Sequence, residues 1–403
     1  MANPWEKPGG WASDTTWVRR VYLDLAGRLP TPDEAKRFVR SPGVRKRERL
    51  VDRLLAGEDF ADYWSMRLCD LLRVKSEFPI NLWPNAVYVY HRRIREAVAK
   101  DEPWDRFAAA LVTATGSDFR DAEANYIRAS ADRSPEGLAR TAVKTFFDED
   151  LAEWPEADRR EAVAAFANVR IKPTREWKEE LVYSDGPDRR SAFVALMTGP
   201  KRARFAAAFA GYVRTWIFGR RGADAELGAR FAADGFSLKA LCRTIALSEE
   251  YARGSVTGGF PLRRLDAEVL EDALVSLLGL TRDYQSIAPE PFTYLPKDRK
   301  SVLIEDGSIS SSFLTLFGRP PRDSGDLAER KNDVTAKQRL YLYNSGRLYR
   351  HLMRMKGDVD SFYWRFLSRP PTDEERRIVA GRRLAPKDLG WCLMNTREFL
   401  YRT

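Results

Sequence analysis

The sequence predicts an all-α protein on three observations. Apolar residues recur at helical spacing along most of the chain, strand-type alternation is scarce, and several helix starts carry N-cap signatures. Hydrophobic residues make up 44 % and aromatic residues 12 % of the 403, which is enough to bury a core and too apolar for a disordered polyelectrolyte.

In chain order, Thr31-Pro32-Asp33-Glu34 sets a hydroxyl N-cap, a proline at the first helical position and a carboxylate at the third. Residues 45–55 place Leu50, Val51, Leu54 and Leu55 on one helix face, among Arg, Lys, Glu and Asp. Residues 92–100, 104–113, 202–218, 238–247, 265–278 and 335–355 read the same way. Strand-like patterning is confined to 169–171 and 302–304. Thr372-Asp373-Glu374-Glu375 repeats the first cap. An aromatic residue follows each cap, Phe60 after 29 residues and Phe399 after 27, and a third copy runs 27 residues from Asp224 to Tyr251. Recurring helix-pair modules with irregular connectors are expected. Arg28 and Arg369, each three residues before its cap, are expected to bind helix C-terminal carbonyls or the cap carboxylates. Gly and Pro interrupt the pattern near 184–188, dividing the chain into helical parts 1–185 and 186–403.

Charge and rare residues exclude several chemistries. Net charge is +10, with 68 basic and 58 acidic residues, and arginine dominates at 52 against 16 lysines. Residues 101–200 are acidic, with 14 basic and 20 acidic groups, between basic flanks, a pattern that favours packing or partner binding over a continuous nucleic-acid track. Cys69, Cys242 and Cys392 lie too far apart for a disulfide framework, a Cys-x-x-Cys zinc clamp or a covalent haem motif. With His91 and His351 the only histidines, most imidazole-built metal centres are excluded; both read as ordinary helix residues. No metal, haem or other cofactor is expected. The longest apolar stretch, 205–219, is interrupted by Arg214 and does not reach the ~18 residues of a membrane span. The first ten residues lack the apolar region of a signal peptide, so the expected compartment is the cytoplasm if Met1 is the native start, and the periplasm if an export signal has been removed.

Two segments carry candidate chemistry. Glu268 and Asp272 are four apart and share a helix face, where paired carboxylates could ligate a hard cation, share a proton, or answer Arg264 in a salt-bridge net. Phe317-Gly318-Arg319-Pro320-Pro321-Arg322 reads as an extended loop presenting Arg319 and Arg322, as an anion site would. Thr335 caps a helix carrying Gln338, whose amide needs a partner if buried, and Asn344 follows on the same segment. Alternatively, Gln338 and Asn344 satisfy loop backbone while the arginines tie the loop to acidic neighbours.

The run Val18-Arg19-Arg20-Val21-Tyr22-Leu23-Asp24-Leu25, then Arg28-Leu29-Pro30-Thr31-Pro32-Asp33-Glu34, Trp64, and Thr113-Ala114-Thr115-Gly116-Ser117-Asp118-Phe119, resembles the planctomycete cytochrome-associated domain of unknown function. Arg264-Leu265-Asp266-Ala267-Glu268, Phe317-Gly318-Arg319-Pro320 and Arg369-Pro370-Pro371-Thr372 resemble its usual fused companion domain. The resemblance implies an exported protein often joined to cytochrome c-like modules, with no established activity. Where many relatives carry Cys-x-x-Cys-His, this chain reads Thr145-Phe146-Phe147-Asp148-Glu149, and Arg67 stands where relatives place a histidine. Without those ligands an inherited haem is not expected.

The leading functional expectation is a non-catalytic binding or scaffold protein that docks a partner protein through aromatic-rich and Arg-rich surfaces. The alternative is an enzyme acting on an anionic or sugar-like substrate with Glu268, Asp272, Arg319, Arg322, Gln338 and Asn344. A second alternative is binding of a polyanion, a nucleic acid or a sulfated glycan.

Overall fold

Local side-chain chemistry starts most of the helices. Ser13, Thr31, Ser134, Asp224, Ser237, Ser248, Thr335, Thr372 and Thr396 each accept the amide three residues on. At Thr31, Thr335 and Thr372 the cap residue's own amide donates in return to the side-chain oxygen of Glu34, Gln338 or Glu375, completing a capping box. The computed structural model describes residues 6–7, 10–255 and 259–402. Among these, twenty-two α-helices stand against seven strands, none longer than five residues, and the fold is all-α.

Trp104–Thr113 and Arg202–Phe218 form as helices with the expected bounds. Two segments differ from expectation. The single helix expected over 335–355 is two, Ala336–Asn344 and Gly346–Leu352, because Ser345 turns extended (ψ 105°) and its hydroxyl caps Leu348 instead of continuing the first helix. The strand expected over 302–304 is replaced by a short 3-10 turn, Ser301–Leu303. There the Ser301 and Val302 amides bind the Asp272 carboxylate at 2.8 and 3.2 Å, so they are withdrawn from any ladder. Residues 169–171 do enter a strand, Val169–Pro173, which pairs antiparallel with Glu180–Ser184; Gly116–Ser117 adds the third strand.

One hydrophobic core runs through the molecule, from Trp17 and Trp64 through Phe209 and Trp216 to Phe366 and Phe399. The border expected at 185 and 186 falls between Glu180–Ser184 and the next helix, Arg190–Thr198. Helices from both sides of it interlock. Pro32–Arg40 packs on Val359–Leu367, and Lys46–Leu55 on Leu238–Ala246. The first helix, Asp14–Leu25, is tied to distant chain by its own arginines: Arg19 donates to the carbonyls of Phe366 and Phe399, each at 2.9 Å. Most large aromatics are consumed by this core, and the exposed ones include Phe78, Trp177, Phe292 and Tyr294.

Arg28 and Arg369 sit in matching frames. Arg28 forks onto Glu34 at 2.8 and 2.9 Å and reaches Asp59 at 2.6 Å; Arg369 forks onto Glu375 at 2.8 Å twice and reaches Glu398 at 2.7 Å. Both therefore bind the cap carboxylate and a second acid about 30 residues further on, the bidentate geometry that guanidinium suits best.

The small sheet carries a pH-dependent weak point. Asp118 is buried; its Oδ1 accepts the Glu180 amide at 3.0 Å while its Oδ2 has no partner. Burial pushes its carboxyl up to about 7, against the pull of nearby Arg128. A raised carboxyl is held protonated in the fold at pH values where the unfolded chain is ionised, so stability falls as pH rises from about 4 through about 7. Urea unfolding of Asp118→Asn should show less of this loss than the parent between pH 5 and pH 8; equal slopes would refute the assignment.

Candidate functional site

Asp266 begins the helix Ala267–Leu278, yet its side chain makes no cap bond. It turns instead into a buried ion network. Its Oδ2 accepts from Arg402 at 2.6 Å, from Arg67, and from the Tyr63 hydroxyl at 3.2 Å; its Oδ1 accepts from Asn332 at 3.1 Å. Two residues on, Glu268 receives Arg330 as a fork at 2.6 and 3.0 Å and lies 3.4 Å from Arg319. Asp70, from the helix Glu58–Leu71, joins Arg322 at 2.8 Å to Arg330 at 2.6 Å. Asp24 completes the set, bonded to Arg402 and to the Tyr251 hydroxyl at 2.8 Å.

Among the described residues, these four carboxylates meet six guanidiniums: Arg67, Arg263, Arg319, Arg322, Arg330 and Arg402. Two positive charges are in excess in a region screened from water, which is costly unless an anion offsets them. Burial alone would raise the Asp266 carboxyl, but Arg67, Arg402, Arg263 and Arg330 outweigh it and hold it well below the usual carboxylate range. The cations feel the crowding: burial, with Arg322 adding to it, lowers Arg319 to about 10, and burial with Arg402 lowers Arg263 to about 10.

A cavity of about 240 Å³ adjoins this network, lined by Arg67, Arg263, Arg330, Asp70 and Asn332 together with Trp216 and the 325–328 segment. Arg67 is fully buried, and its Nε and Nη1 have no partner in the protein; the same holds for Nε of Arg263 and of Arg330 and for the Asn332 Oδ1. Gly325 is what lets the covering segment lie so close. Its φ is +77°, and a Cβ there would stand 2.4 Å from the Leu71 carbonyl oxygen. Over the cavity, Asp326 is held by Arg221 at 2.5 Å.

The six residues singled out from the sequence are not gathered in one pocket. Glu268, Arg319 and Arg322 belong to the network, Arg319 and Arg322 also binding loop carbonyls such as Asp306 O at 3.1 Å and Glu305 O at 2.7 Å. Asp272 pairs with Arg282, not with Glu268, and lines a separate cavity of about 420 Å³. Gln338 is spent on the Thr335 cap and on the Leu316 carbonyl at 2.9 Å, and lines a third cavity. Asn344 is exposed at the end of its helix. Arg264, offered as the answer to the Glu268 and Asp272 carboxylates, binds backbone carbonyls instead. What the sequence reading missed as site members are Asp24, Asp70, Arg263, Asp266, Arg330 and Arg402. Arg67 was visible only as the residue standing in a histidine's place.

His91 is buried and pushed down to about 3 by desolvation and nearby arginines; His351 bonds the Leu278 carbonyl at 2.9 Å. Neither lines any of these three cavities, so neither is placed to ligate a haem iron there. Among the described residues no group of three or more His, Cys, Asp or Glu is arranged to hold a metal ion, and no helix is long and apolar enough to cross a membrane.

Residues 6–169 match the family described as PSCyt2, a protein of unknown function (DUF1549), and residues 225–381 match PSD1, a protein of unknown function (DUF1553). The chain is a fusion of these two domains. No curated protein and no solved structure matches it. The cavity is shared between the domains. Arg67 and Asp70 come from the PSCyt2 segment, Arg263, Arg330 and Asn332 from the PSD1 segment, and Trp216 from the stretch between them.

Proposed function

We propose that the PSCyt2–PSD1 chain is a non-catalytic binding protein that takes an anionic group, a carboxylate or a tetrahedral oxyanion, into the cavity at the junction of its two domains. The observation that carries this reading is Arg67, a buried guanidinium lining the cavity with two nitrogens unpaired, in a network with two positive charges in excess. An anion seated there would supply the missing hydrogen bonds and offset the surplus. Acid–base chemistry is not favoured at this place, because Asp70 and Glu268 are each clamped by two arginines and Asp266 is held ionised. At about 240 Å³ the cavity suits a small ligand or the end group of a larger one.

Isothermal titration of the full chain with acetate, inorganic phosphate and sulfate tests the reading. At least one should bind the parent, and Arg67→Gln should weaken it by about tenfold or more, the worth of one hydrogen bond to a charged group. Asp266 keeps Arg402 in this variant, so the fold should survive, as circular dichroism would verify. A folded Arg67→Gln chain that binds as the parent does, or a parent that binds none of the three ions, would sink the proposal.

A further inference from the structure

The two-residue strands Arg263–Arg264 and Tyr401–Arg402 pair antiparallel, Arg263 opposite Arg402 and Arg264 opposite Tyr401. Successive residues of a strand point to opposite faces. Arg263 and Arg402 accordingly enter the network described above, while Arg264 and Tyr401 line a different cavity, of about 250 Å³.

This cavity, the one that Gln338 also lines, has a distinct chemistry. Three arginines line it, Arg264, Arg339 and Arg397, and no Asp or Glu does. Arg264 is 3 % exposed and its guanidinium is held only by neutral carbonyls, those of Leu265 at 2.9 Å, Phe317 at 2.6 Å and Lys331 at 2.9 Å; its Nε has no partner. Arg339 and Arg397 are exposed at the rim, and neither is in an ion pair among the described residues. A buried cation with no carboxylate in contact, and two more beside it, form a concave positive surface. Phe317, Leu342 and Leu400 supply an apolar wall against which a ring or short hydrocarbon could lie.

We propose that this cavity is a second ligand site, separate from the first, that binds an organic anion: an anionic head on the arginines and an apolar or aromatic body on the Phe317 side. The arginine fork fits both a planar carboxylate and a tetrahedral phosphate. The test therefore uses benzoate and phenyl phosphate as charged probes of the two head shapes, and phenol as the uncharged control, titrated calorimetrically into the full chain at low salt. At least one charged probe should bind about tenfold more tightly than phenol, a difference that one charge-assisted hydrogen bond accounts for. Replacing buried Arg264 could cost the fold, so the informative variant is the exposed pair Arg339→Gln with Arg397→Gln. It should lose about tenfold or more in affinity for the charged probe and leave phenol unchanged. Arg67→Gln, at the first cavity, should leave this binding intact. Three results would each overturn the proposal: equal affinity for charged and uncharged probes, parent-like binding by the double variant, or loss of all probe binding in Arg67→Gln.

Discussion

Asp266→Asn should lower the unfolding free energy by about 3–5 kcal/mol, the cost of removing one partner from a buried ion pair. The carboxylate has no exposure, and it faces Arg67, Arg402, Arg263 and Arg330 within 4.0 Å. Neutralising it leaves six guanidiniums against three carboxylates. Asparagine keeps the size and one acceptor, so the loss reads charge more than packing. Urea denaturation followed by tryptophan fluorescence would measure it. Added phosphate or sulfate should stabilise this variant more than the parent, since an ion that binds the folded state shifts the equilibrium by mass action and the variant has more charge to offset. A loss below about 1 kcal/mol would place these arginines in the class of solvated surface charges, against the burial described here.

Arg369→Gln should likewise cost about 3–5 kcal/mol, whereas Arg28→Gln should cost at most about 1 kcal/mol. The two arginines make the same three-cornered contact, but their settings differ. The Arg369 side chain is 6 % exposed and so is that of Glu398, while Arg28 and its acids Glu34 and Asp59 are 25 to 31 % exposed. Water can replace Arg28 at its carboxylates and cannot reach Glu398. Matched urea titrations of the two variants check this; equal losses would mean that solvent access does not set the worth of the motif.

Where the fold follows from short-range chemistry, the sequence announces it. Thr31 and Thr372 cap because a hydroxyl, a proline or acid and a glutamate three residues on settle the first turn without help from the rest of the molecule. The helix Arg202–Phe218 is legible because its apolar residues leave no competing period. Ser345 was not legible as a break, because apolar residues continue on both sides of it, from Tyr341 and Leu342 to Leu348 and Leu352. Residues 302–304 have strand composition, and only a carboxylate 29 or more residues away in sequence decides otherwise.

The site is less readable for a related reason. Glu268, Arg319 and Arg322 drew attention through local features, a shared helix face and a glycine–proline loop. Their partners had none. Asp70 is the next-to-last residue of a helix with nothing local to mark it, Asp266 looks like an ordinary cap, and Arg402 is one of 52 arginines. Each becomes special only when residues as many as 378 positions apart are brought to one point, and that depends on how helices pack. Asp272 and Gln338 show the converse: eye-catching side chains that tertiary contacts commit to backbone amides and a carbonyl.

The bond from Arg402 to Asp24 also bears on how this protein is born. A ribosome that has delivered Asp24 must add 378 more residues before its guanidinium exists. Until then the first helix can pack on the three helices that follow it, but its buried acid and its two arginines lack the guanidinium and the carbonyls at 251, 366 and 399 that they bind in the finished fold. Closure of this network therefore waits for the last residues of the chain, and its charged side chains stay solvated in the emerging polypeptide until then.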